Sequence, residues 1–131
     1  MQKQECLDSG WAWTKKYNIG AGAKVGDTIY TSGLVALDSD GNVIGGDVYT
    51  QSSQVFKNIE SLLTVAGATM ADVIKINTLL TDMSQYGEFS KARNEALPAG
   101  VPASASYSTP TLVLPSLLVE VEAIAIISSG S

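Results

Sequence analysis

The sequence predicts an α/β fold: a two-layer sandwich in which a mixed β-sheet carries two helices on one face. Three observations predict it. Runs rich in β-branched residues at 28–36, 73–81 and 102–127 read as strands. Amphipathic stretches at 47–66 and 86–97 lie between them with the period of helices. The chain's 131 residues suffice for one core but not two, so residues 1–131 are expected to form a single domain. The implied order is β-β-α-β-α-β-β, with both helices packed on the same side of the sheet.

In chain order, residues 1–14 show no clear periodicity, yet they carry Trp11 and Trp13. Large aromatics are rarely left in water, so an N-terminal arm, residues 1–16, is expected to fold back onto the body or a neighbour. Tyr17 to Lys24 reads as weakly extended, and Val25-Gly26-Asp27 as a turn. Thr28 to Ala36 is a strand interrupted by the small polar residues Thr31-Ser32-Gly33. Asp38-Ser39-Asp40-Gly41-Asn42 is a hairpin turn, with Gly41 supplying a positive φ; it lacks the distal Glu of a calcium loop. Asp47 is placed to cap a helix running to Ala66 and closed by Gly67. Val55, Ile59, Leu62, Leu63 and Ala66 share its apolar face, with Gln54, Lys57 and Glu60 toward solvent. Val73 to Thr81 is the next strand, and a second helix spans about Tyr86 to Leu97 before Pro98, Gly100 and Pro102 end it.

The last stretch, Pro102 to Ile127, holds two strand-like runs around Pro110 and Pro115. The second run is the most apolar in the chain, yet it carries Glu120 and Glu122. Residues two apart on a strand share a face, roughly 6.5 to 7 Å from each other. Burying both carboxylates without partners is costly, so they must border water, a subunit interface or a site. Apolar residues fall on both faces of the predicted strands, Tyr30 and Leu34 on one against Ile29, Thr31 and Val35 on the other, but the two helices can cover only one. Self-association into a cyclic oligomer is therefore expected.

Composition excludes several chemistries. With no His there is no Ser-His-Asp triad, no Cys-His pair and no imidazole metal ligand. Cys6 is the one cysteine and cannot form an internal disulfide, which fits a reducing compartment. Arg93 is the only arginine, expected to face solvent from its helix. A net charge of −5 argues against a nucleic-acid surface. No apolar leader or membrane-length apolar run is visible, so a cytoplasmic location without membrane association is expected.

Taken together, several motifs resemble the RidA/YjgF family. They are Gly26-Asp27 before IYTSG, the helix bearing Asp47, Gln51, Asn58 and Ile59, the Ala66–Lys75 link (AGATMADVIK), and Pro102-Ala103-Ser104-Ala105-Ser106 followed by LLVEVEAIAI. The resemblance covers about Ile19 to Ile127 and implies a RidA/chorismate-mutase-like trimer with clefts between subunits. It implies hydrolysis of reactive enamines and imines to ketones and ammonia, with no metal or organic cofactor. It assigns Glu120 to the attacking water, and Ser32, Gly33, Ser104, Ser106, Ser90, Tyr17 and Ile19 to a substrate pocket. Deaminating members carry an arginine directly after the Pro-Ala, where this chain has Ser104; many have Cys where it has Ser106, and Asn where it has Ser90. The substrate is therefore expected to differ from a simple 2-imino acid. The competing reading is a non-catalytic small-molecule-binding or regulatory trimer of the same fold.

Overall fold

The helix at 48–66 shows how local sequence fixes the frame. Asp47 accepts a hydrogen bond from Thr50 N at 2.8 Å, and Gly67 closes the last turn at φ 86°. Val55, Ile59, Leu62, Leu63 and Ala66 are all buried against the sheet, while Lys57 and Glu60 are exposed. The structure, a computed structural model, describes residues 3–98, 100 and 102–131; Met1 and Gln2 of the expected arm lie outside that range. Its elements are β1 (Gln4–Leu7), α1 (Ala12–Tyr17), β2 (Gly22–Val25), β3 (Thr28–Thr31), β4 (Leu34–Val35) and α2 (Val48–Ala66), then β5 (Val73–Leu80), α3 (Tyr86–Ala96), β6 (Ala103–Ser108) and β7 (Val119–Ile126).

The strands form one mixed sheet in the order β1-β2-β3-β7-β5-β6, with β4 also on β7. Only β5 and β6 run parallel among the described pairs; the rest are antiparallel. Ile29, Ile76, Leu80, Val119, Val121, Ala123 and Ala125 face the helices and are buried. On the opposite face, Tyr30 is 51% exposed and Tyr107 58%. Among the described residues no helix covers that face.

Two local features differ from what the sequence predicts. Residues 4–7 are a strand and 12–17 a short helix, where no regular element was expected at 1–14. The strand is legible only through its partner, since it pairs with Gly22–Val25 and buries Leu7 alone. Trp11 and Trp13 stack at 5.3 Å and are buried in the core cluster. Tyr17 thus ends a helix rather than beginning a strand.

The second difference concerns Leu34, which alternation from Tyr30 places on the open face. Thr28 pairs with Ile126, but Leu34 pairs with Val121, so the ladder slips by one residue across Thr31–Gly33. That bulge turns Leu34 to the buried helix side. It is pinned from several directions. Thr31 Oγ1 accepts from Ala123 N at 2.9 Å, Ser32 N donates to Ala21 O at 2.8 Å, and Ser32 Oγ donates to Gly20 O at 2.6 Å.

Candidate functional site

Glu120 lies on β7 opposite Leu79 on one side and Val35 on the other. Those neighbours, and its own alternation with buried Val119 and Val121, turn it to the open face of the sheet. There it lines a hollow of about 420 Å³ with Lys75, Asn77, Leu79, Tyr107 and Glu122. The bulge brings Gly33 against it: a Cβ at position 33 would sit 2.7 Å from Glu120 Cδ. Gly33 therefore makes room for the carboxylate, and any side chain there would push it aside.

The half-buried position of Glu120 removes water from the carboxylate, and the neighbouring Glu122 charge repels it. Both raise its pKa above the ordinary 4.5, burial contributing most. Glu122 itself is exposed and accepts from Asn77 Nδ2 at 3.0 Å. A carboxylate of raised proton affinity, beside open space, can take a proton from water and return it.

The expected pocket residues divide into groups. Glu120 and Gly33 touch. Ser32, next to Gly33, lines a separate shallow hollow with Cys6, Gly20 and Tyr30. Tyr17, the last residue of α1, and Ile19, just beyond it, are exposed, with Ile19 adjoining the Gly20 carbonyl that Ser32 engages. Ser104 and Ser106 pair with Ile76 and Thr78, two of the most buried helix-side residues. They consequently face the helix layer, on the opposite side of the sheet from Glu120. The Oγ atoms of Ser106 and Thr78 are both buried without a hydrogen-bond partner. Ser104 is exposed at the rim of a hollow of about 530 Å³ that also contains Arg93, Asn94, Leu97 and Pro102. Ser90 joins this group through Arg93, whose Nη2 donates to Ser90 Oγ at 2.8 Å.

Within one protomer, then, Glu120 and Ser104 do not share a cavity. Sequence reasoning also put Arg93 in solvent, whereas it is half-buried and held by Tyr86 and Ser90 on its own helix. The signal was present in the spacing: positions 86, 90 and 93 fall on one helix face.

A mixed sheet, helices on one side only, and a half-buried carboxylate on the bare side define a small layered α/β protein of the YjgF/chorismate-mutase-like type. Residues 12–127 match the family described as endoribonuclease L-PSP. The chain is 36% identical to the mouse 2-iminobutanoate/2-iminopropanoate deaminase over 104 residues, covering 79% of this chain and 76% of the mouse protein. It is 31% identical to a RutC family protein of Pyrococcus abyssi, covering 78% of this chain and 80% of that one. The crystal structure of RidA from an Antarctic Psychrobacter superposes with a TM-score of 0.83 at 29% identity, covering 95% of this chain and all of that one. The chain belongs to the RidA/YjgF family, whose curated relatives include imine deaminases. Among the described residues no helix is long and apolar enough to cross a membrane.

Proposed function

We propose that this chain is a cytoplasmic hydrolase of an imine or enamine, working as a homotrimer with its sites in clefts between subunits. Water adds to the imine carbon while Glu120 takes a proton from it. That proton passes to nitrogen to give the carbinolamine R₂C(OH)NH₂; as its C–N bond breaks, the hydroxyl proton passes through Glu120 to the leaving nitrogen, so that R₂C=NH and H₂O become R₂C=O and NH₃. An enamine first gains a proton at carbon. The observation that carries this reading is the half-buried Glu120 carboxylate over Gly33, facing an open hollow. Ser104 and Ser106 would border the substrate from the neighbouring subunit, with Ser32, Ser90, Tyr17 and Ile19 around the cleft. Their separation from Glu120 by the thickness of the sheet is what supports a site built between copies.

The uncovered sheet face, with Tyr30 and Tyr107 exposed on it, supports the trimer. Light scattering coupled to size exclusion is expected to give about three times 13.7 kDa. A monomer at micromolar concentration would leave Ser104 and Glu120 with no way to meet.

Ser104, at the position where the family resemblance implies an arginine in deaminating members, supports a substrate other than a simple 2-imino acid. It also favours the second reading, a trimer that binds a small molecule without turning it over. With 2-iminopropanoate generated by an amino-acid oxidase and trapped as the semicarbazone, Ser104→Arg is expected to raise kcat/KM by about 10- to 150-fold. Equal rates for the two proteins would show that position 104 does not set this selectivity.

A further inference from the structure

We infer that Arg93 supplies the anion-binding group that position 104 lacks, so that the substrate carries a carboxylate held from α3 rather than from β6. This rests on the intersubunit-hydrolase reading and deepens it by naming the substrate class.

Arg93 and Ser104 line the same hollow, one from the helix and one from the strand. The guanidinium is fixed on several sides. Nη1 donates to the Tyr86 hydroxyl at 2.9 Å, Nη2 to Ser90 Oγ at 2.8 Å, and Nε to Asn94 Oδ1 at 3.4 Å. Its central carbon lies 5.8 Å from the centre of the Phe89 ring and 5.9 Å from that of Tyr86.

Among the described residues its three hydrogen-bond partners are neutral, and against these each terminal nitrogen keeps a second N–H. A helix-surface arginine usually finds a carboxylate three or four residues away. Here those positions are Phe89, Ser90, Ala96 and Leu97, and the nearby Glu95 accepts instead from the Tyr49 hydroxyl at 2.5 Å. A half-buried, pre-oriented guanidinium at the edge of a hollow, with donors that no described residue takes up, is arranged to take a carboxylate. Because the cation comes from the helix wall, the anion lies away from β6. A carboxylate separated from the reacting carbon by additional methylenes fits that displacement.

The test is equilibrium binding of product-like probes by calorimetry: 4-oxopentanoate, 2-oxobutanoate, and neutral 2-pentanone, in which a methyl replaces the carboxylate of 4-oxopentanoate. Arg93→Gln is expected to weaken the bound oxo acid by about 10- to 150-fold and leave 2-pentanone unchanged. Arg93→Lys keeps the charge without the fork and should fall between, which also decides the matter should Arg93→Gln fail to fold. The inference is overturned if neither oxo acid binds the wild type, or if binding survives Arg93→Gln intact. It is also overturned if 2-pentanone binds as tightly as the acids. Turnover by Glu120 variants tests the hydrolase reading separately, so either can fail without the other.

Discussion

Glu120→Gln is expected to lower kcat/KM for imine hydrolysis by about 10² to 10⁴-fold, the usual contribution of a positioned general base. The substitution keeps the side chain's shape over Gly33 and a carbonyl oxygen to orient water, but removes the proton acceptor. A loss confined to kcat would place the effect on the chemical step rather than on binding. A variant as active as wild type would remove Glu120 from the mechanism and favour the binding-only trimer.

The raised pKa of Glu120 gives this prediction a pH signature. Only the ionised form accepts a proton, so the rate should rise with pH through a midpoint above the ordinary glutamate value of 4.5. Glu122→Gln removes the neighbouring negative charge and should move that midpoint to lower pH, while an amide oxygen remains for the Asn77 contact. An unmoved midpoint would assign the limb to another group. The linkage to stability has the same sign. A folded-state pKa above the unfolded one stabilises the fold below about pH 4.5, and that contribution is lost as pH rises through the raised value.

What was legible in the sequence was what local chemistry determines. Asp47 and Gly67 mark both ends of α2 because a cap and a left-handed closing residue act within one turn. Gly41 at φ 89° does the same for the hairpin between Leu37 and Val43. Glu120 stood out because a carboxylate on an apolar strand is costly wherever it lies. The face of Leu34 was not legible, since the bulge is held by Ala123, which is 92 residues from Thr31 in the chain. Nor was the placement of Ser104 and Glu120 on opposite faces, because alternation fixes faces within a strand, and only the pairing through Ile76, Thr78 and Leu79 relates one strand to another. Arg93 was missed for a different reason: its helix is weakly amphipathic, and what turns the side chain inward is hydrogen bonding to Tyr86 and Ser90 rather than apolar patterning.

Gln51→Ala is expected to destabilise the fold by about 2 to 4 kcal/mol, among the largest effects of a single substitution outside the apolar core. Gln51 is wholly buried on α2, facing the entry to β7. Its Nε2 donates to Gly45 O at 3.1 Å and Ser116 O at 2.9 Å, and its Oε1 accepts from Leu118 N at 2.8 Å. One side chain thus ties the loop before α2 to the residues that start the strand of Glu120. Truncation leaves the part-buried Leu118 N–H without a partner and opens a cavity beside Leu117, so transfer and desolvation costs add. For a chain of this length the melting temperature should fall by roughly 10 °C. Gln51→Leu fills the volume but satisfies none of the three bonds, and should recover only the cavity part of the loss. If it melts with the wild type, the hydrogen bonds contribute nothing to stability. If both variants fold normally yet lose activity together, Gln51 acts by holding β7 in register with α2, so that Glu120 stays over Gly33.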